Sequence, residues 1–186
     1  MSIPGFDHNN VIPPHLGDPR MPMLVSPFST TTLELCQVLG FTAERRRILS
    51  KFLQFRLRLN ENNIIQGFQW LDGSFLENIE LTELRSPRDL DVVTFYAVES
   101  QDVQAEINNN FEEFFNSVIA KENYLLDHYV VDLSINPLSL VEHVKYWHQL
   151  FSHNRNRVWK GMLKLELNTS DLDQQALEYL GGFNDE

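Results

Sequence analysis

The chain has 186 residues, a formal net charge of −11 and a pI near 4.9. That length suffices for one hydrophobic core, and the negative balance excludes a protein that coats nucleic acid through a net positive field. The single cysteine, Cys36, excludes an intramolecular disulfide framework and a cysteine-cluster zinc site, and no run approaches the ~18 apolar residues of a membrane span. The first residues lack the basic and apolar runs of a secretion signal, so a soluble, cytoplasmic protein is expected. Cys36 itself, among Leu35, Val38 and Leu39, reads as a small core residue.

Residues 1–32, punctuated by Ile3-Pro4-Gly5-Phe6 and Val11-Ile12-Pro13-Pro14, are expected to form an extended arm laid on the body, and 33–186 a single domain. Thr42 reads as a helix N-cap, and Ile48, Phe52, Phe55 and Leu59 make one apolar helical face after it. Arg45, Arg46 and Arg47 read as the solvated first turn of that helix rather than a phosphate site. Asn62-Asn63 end the helix, and 64–71 read as a strand rich in Ile, Phe and Trp. Phe75 and Ile79 are four apart, which predicts a helix starting at Gly73-Ser74 with its positive dipole end toward a bound anion. After Pro87, 88–97 form the clearest strand. Phe111, Phe114, Phe115, Val118 and Ile119 predict one amphipathic helix over 104–120. A strand over 129–135, ended by Asn136-Pro137, precedes a helix over 138–150, a loop over 153–157 and a strand over 158–167. A last helix starts at Ser170, with Asp173 in a capping-box-like relation, and stops at Gly181-Gly182. Strands interleaved with helices, without regular βαβ spacing, predict an α/β or α+β fold in which helices pack a small mixed sheet.

Two short segments carry chemistry. In Leu71-Asp72-Gly73-Ser74-Phe75, Gly73 lets backbone approach a polyphosphate and Ser74 offers a hydroxyl and an amide to its oxygens. In Ser86-Pro87-Arg88-Asp89-Leu90-Asp91, Asp89 and Asp91 are two apart, so on a strand they point the same way and can share divalent metal ions. Asp132, an aspartate among valines and leucines, is costly to bury unless paired or metal-bound, and a neighbouring strand would bring it to the pair as a third carboxylate. Asp127-His128 is an alternative acid or base, and Arg88 reads as a brace for a nearby carboxylate. His143, His148 and His153, five apart, share no helical face and read as surface or capping residues rather than zinc ligands.

The Gly-Ser turn followed by Asp-x-Asp and a later strand carboxylate resembles the nucleotidyltransferase superfamily, the palm-like fold of polymerase-beta-type enzymes and minimal nucleotidyltransferases. More closely, the chain is similar to an uncharacterised bacterial nucleotidyltransferase-like family in Ile12-Pro13-Pro14, Leu71-Asp72-Gly73-Ser74-Phe75, Pro87-Arg88-Asp89-Leu90-Asp91 and Trp159-Lys160-Gly161. The resemblance implies that Gly73 and Ser74 hold a nucleoside triphosphate and that Asp89, Asp91 and Asp132 hold Mg2+ or Mn2+. It implies transfer of a nucleoside monophosphate to a hydroxyl of a protein, an RNA or a nucleotide. Arg155, Arg157 and Lys160 are the candidates to neutralise the departing charge, with surface charges around Trp159 as the alternative. The segment between Ser74 and Asp89 is long for a minimal enzyme and carries Glu77, Glu80 and Glu83. Short stand-alone members of the superfamily serve in toxin-antitoxin or phage-defence pairs, which implies a protein partner or a homo-oligomer. Two other functions fit the same residues: a catalytically silent binding or antitoxin module, and a synthase of an oligonucleotide immune signal.

Overall fold

The computed structural model describes residues 2–98 and 100–183. In chain order it forms β1 (Phe28–Ser29), α1 (Thr32–Leu39), α2 (Ala43–Glu61), β2 (Gln66–Asp72), α3 (Ile79–Thr82), β3 (Leu90–Ala97), α4 (Gln101–Asn110), α5 (Ser117–Tyr124), β4 (Leu126–Asp132), α6 (Pro137–Phe151), β5 (Leu163–Glu166) and α7 (Ser170–Gly181). The five strands make one mixed sheet in the order β1-β5-β2-β3-β4. β2 runs antiparallel to both β3 and β5, while β4 is parallel to β3 and β1 to β5. The fold is therefore the expected α+β type with a small mixed sheet. No helix of the described residues is long and apolar enough to cross a membrane.

Helix α2 forms as its pattern requires. The Thr42 hydroxyl accepts from the Arg45 amide at 3.3 Å, and Ile48, Phe52, Phe55 and Leu59 are all buried, each contributing roughly 1.5–3 kcal/mol relative to exposure. With α1 and α7 it covers the sheet face that carries Leu71, Leu90, Val92, Leu126, Leu163 and Leu165. The opposite face carries Trp70, Val93, Phe95 and Val131, and there α6 packs Trp147 and Phe151. The N-terminal arm lies on the body through buried Ile3, Val11 and Ile12. Cys36 is buried, and burial pushes its thiol up to about 12, as suits an inert core residue.

Several elements differ from their sequence patterns for identifiable reasons. Arg45 is not solvated: its side chain is fully buried, with Nε 2.7 Å from Glu80 and Nη1 and Nη2 donating to the Phe75 and Glu77 carbonyls. The turn after β2 is a three-residue 3-10 helix, Ser74–Leu76, and α3 begins separately, so Phe75 and Ile79 are buried from different elements and no helix dipole stands at Gly73. The stripe over 104–120 breaks into α4, a 3-10 turn at Glu112–Phe114 and α5, because Asn116 caps α5 by accepting from the Val118 and Ile119 amides. Val118 is consequently 64% exposed. The last strand is confined to β5, since 158–162 are taken by a bridge between His153 and Trp159 and by Lys160 N donating to the Ser152 carbonyl. Asp173 does not cap α7: it is fully buried and paired with Arg56.

A buried polar chain crosses the sheet under α2. Arg56 Nη1 donates to Gln69 Oε1 at 2.7 Å, Gln69 Nε2 donates to Thr94 Oγ1 at 2.9 Å, and Thr94 Oγ1 lies 2.8 Å from His128 Nε2. Thr94 Oγ1 accepts from Gln69 and has its own proton to offer to Nε2 of a neutral imidazole. Burial accordingly pushes His128 down to about 3. Between the ordinary histidine value of about 6.5 and that depressed one, the unfolded chain binds a proton that the native chain does not, so stability contributed by this group is lost as pH falls. Compared with wild type, His128→Gln is expected to flatten the loss between about pH 6 and pH 4 by up to ~1.4 kcal/mol per pH unit. Urea midpoints across that range measure it, and equal slopes in the two proteins would refute it.

Candidate active site

Three strands present the same dipeptide at one end of the sheet: Leu71-Asp72 closes β2, Leu90-Asp91 opens β3 and Leu126-Asp127 opens β4. The three leucines are fully buried on the α2 face. Because successive residues of a strand point to opposite faces, the three aspartates stand together on the α6 face. The ladders pair Asp72 with Asp91 and Asp91 with Asp127 directly, so the carboxylates form a row spaced by about 4.8 Å strand separations. Asp89 adjoins the row just before β3. Fully extended neighbours thus bring together residues 55 positions apart (127 − 72).

Asp132 is not part of this row. It pairs with Tyr96, at the far end of β3 from Asp91, roughly 16 Å along the strand at ~3.3 Å per residue, and its odd offset from Asp127 turns it to the α2 face. Its Oδ1 accepts from the Ser134 amide at 2.8 Å and hydroxyl at 2.6 Å, a turn that ends the strand. Asp127 stands where the third carboxylate was expected. The readable signal for it was the Leu-Asp pair at a strand start, which Asp132 lacks.

Gly73 is required by this geometry. Its φ of +81° and ψ of −171° lie in a region that only glycine occupies readily, and a Cβ there would overlap the Asp91 carboxylate. Lys160, nearly fully buried, holds the turn: its Nζ donates to the Gly73 carbonyl at 2.8 Å and to Glu77 at 2.9 Å, and lies 3.0 Å from Asp72 Oδ1, without the alignment of a hydrogen bond. Lys160 is therefore committed to the turn rather than extended toward a ligand. Gly73→Ala is expected to cost about 1–3 kcal/mol from backbone strain and displacement of Asp91. The cost should fall, though not vanish, when measured in an Asp91→Ala background by urea denaturation, since only the overlap is relieved; an undiminished cost would rule out the contact with Asp91.

The remaining predicted residues occupy distinct places. Ser74 is half-buried at the start of the 3-10 turn. Arg155 and Arg157 are exposed in the loop after α6, which is anchored near Gly73 by Asn154 donating to Glu77 at 3.2 Å. Arg88 is exposed and forms no ion pair among the described residues. His143, His148 and His153 are exposed.

The electrostatics of the row are unbalanced toward negative charge. Burial, reinforced by the charges of Asp89 and Asp127, pushes Asp91 up to about 6, and burial pushes Asp72 up to about 7 against the pull of Lys160. Lys121, half exposed on α5, places its ammonium 2.7 Å from Asp89 and 3.5 Å from Asp127. It is the chain's own cation in the space between those carboxylates. As the side chains stand, no three acidic, histidine or cysteine groups among the described residues come close enough to hold a metal ion.

The four sequence segments that carried the resemblance converge here. Gly161 donates its amide to the Ile12 carbonyl at 2.7 Å, a Cβ on Gly161 would strike the Pro13 carbonyl, Lys160 reaches Gly73, and Gly73 abuts Asp91. Residues 4–166 match the family of unknown function DUF6932. The chain belongs to that family. The matched span contains every segment of this site and the whole sheet, and ends with β5, leaving α7 outside it. No curated protein matches the chain.

Proposed function

We propose that the chain is a metal-dependent nucleotidyltransferase, which moves a nucleoside monophosphate from a nucleoside triphosphate to a hydroxyl acceptor. The observation that carries this reading is the in-register row of carboxylates beside a glycine turn, with more negative charge than Lys121 and Lys160 neutralise. Asp89, Asp91 and Asp127 are the residues that would hold Mg2+ or Mn2+. An all-oxygen donor set suits those ions, and an Asp91 pushed up to about 6 favours added positive charge beside it. Such an ion would polarise a phosphoryl oxygen and acidify the acceptor hydroxyl.

The chain's own residues supply the rest. Gly73 leaves room for a phosphate oxygen to approach the backbone, and the Ser74 hydroxyl offers a hydrogen bond to it. Arg155 and Arg157, exposed on a loop anchored to Glu77, would meet the charge that leaves with pyrophosphate. Lys160 holds Gly73 and Asp72 in place. For a divalent ion to be held there, Lys121 would have to leave its position between Asp89 and Asp127.

The same lysine supports a second reading, a silent binding module in which Lys121 occupies the cation position permanently. Incubation with Mg2+ and labelled nucleoside triphosphates, alone and with cell extract as acceptor source, tests the first reading. Labelled product that disappears in Asp89→Ala/Asp91→Ala supports it, and its length separates single transfer from oligonucleotide synthesis. Absence of turnover, together with calorimetric titrations of Mg2+ and triphosphate that show no binding, would leave only the silent module.

A further inference from the structure

We propose that the groove along the free edge of β4 receives an extended, positively charged segment of a protein partner, which joins the sheet as an added strand. β4 is the outermost strand, and among the described residues only β3 pairs with it. Four consecutive residues, Asp127, His128, Tyr129 and Val130, line a groove of about 720 Å3. Consecutive strand residues alternate between faces, so a cavity that touches all four follows the strand edge rather than either face. Phe114 and Phe115 wall it on one side, and Tyr146 and Leu150 of α6 on the other. An open edge between two walls offers a row of backbone donors and acceptors that an incoming strand satisfies.

Charge selects the occupant. The acidic groups lining the groove are Asp91 and Asp127, no lysine or arginine lines it, and the chain carries −11 overall. Tyr129 and Tyr146 are 43% and 58% exposed, so a lysine or arginine stem can lie along their rings while its head reaches Asp127, a carboxylate that Lys121 engages at 3.5 Å while lying closer, 2.7 Å, to Asp89. A polyanion would meet Asp91, Asp127 and the chain's net −11, offset only in part by Lys121, whose ammonium lies 3.5 Å from Asp127. A second copy of this chain would set one acidic edge against another.

The inference does not depend on nucleotidyl transfer, and its readout needs no turnover. Trp147 lines the groove, so its fluorescence reports occupancy. The probes are synthetic peptides of roughly seven residues, the length of a typical strand, in which Arg or Lys alternates with Val, Leu or Tyr. Members of this panel are expected to bind saturably and more weakly at high salt. Binding should fall roughly tenfold or more in Asp127→Asn and in Tyr146→Ala, with melting curves confirming that both variants fold. On the unaltered protein, the same peptides with Glu for Arg or Lys, or with alternate backbone amides methylated, should lose binding to a similar extent. The proposal is overturned if no panel member binds, if the glutamate or methylated peptides bind equally well, if both variants bind like wild type, or if the chain dimerises through β4.

Discussion

Replacing Arg56 by alanine is expected to remove about 3–5 kcal/mol of stability, the cost of leaving a buried charge without its partner. Arg56 is 1% exposed and Asp173 fully buried. The guanidinium Nε lies 3.0 Å from both Asp173 oxygens, Nη1 donates to Gln69, and Nη2 donates to the Glu166 carbonyl at 2.8 Å and the Thr169 hydroxyl at 2.6 Å. One side chain thus ties α2 to β2, to the end of β5 and to α7. Its removal strands the Asp173 carboxylate and the Gln69 amide oxygen in the buried interior, where each unmet group costs its own desolvation. Against a typical total of about 5–15 kcal/mol, that is a large fraction. Arg56→Lys should recover only part, because one ammonium cannot reach four partners spread over a planar fork. The double variant Arg56→Met/Asp173→Leu should cost distinctly less than Arg56→Ala, since no charge is left unpaired. Urea unfolding of the four proteins decides it, and a loss below about 1 kcal/mol in Arg56→Ala would remove the network from the determinants of stability.

Asp91→Asn is expected to lower transfer steeply and to stabilise the protein. Asp91 is held above the ordinary carboxylate range, at about 6, first by burial and then by Asp89 and Asp127. Between about pH 4 and pH 6 the native chain therefore binds a proton that the unfolded chain has released, and stability falls as pH rises through that window. Above it the penalty is complete, on the order of 1–3 kcal/mol. The amide carries no charge, so its gain should be present at pH 7–8 and vanish near about pH 4. Under the proposed function, the same change should lower transfer by roughly 10²–10³-fold or more, the scale of losing one electrostatic stabiliser of a transition state. A residue kept for scaffolding would lose stability instead. Melting at two pH values beside the labelled-nucleotide assay separates the cases: an Asp91→Asn protein that is less stable at neutral pH contradicts the crowded-carboxylate account.

How far local pattern reached is clearest in particular residues. The apolar face of α2 was legible because Ile48, Phe52, Phe55 and Leu59 repeat at the helical period and Thr42 caps the start. The stripe through Phe111 to Ile119 obeyed the same period and still broke, because the Asn116 side chain competes for the amides of the following turn. That signal stood in the sequence and was outweighed by periodicity. Arg45 read as solvated since charge is usually outward, but carbonyls of the 73–77 turn and the Glu80 carboxylate supply all the hydrogen-bond partners of its guanidinium from 30 or more residues away.

By itself, the sequence determined the fold class and the glycine turn at Gly73, because strand period, helix period and glycine conformation are local properties, and it marked the Asp89-Asp91 segment as the partner of that turn only through the resemblance of the two motifs taken together. Only the tertiary structure decided which further aspartate joins them. Leu-Asp occurs at 71–72, 90–91, 126–127 and 172–173; the helical pattern after Ser170 sets the last apart, but nothing local says which strand-borne aspartates become neighbours. Strand register selects them. Parallel pairing of β4 with β3 sets Asp127 beside Asp91 and carries Asp132 to the other end and the other face, and register is fixed by burying three leucines on the α2 face, a free energy no single segment holds alone.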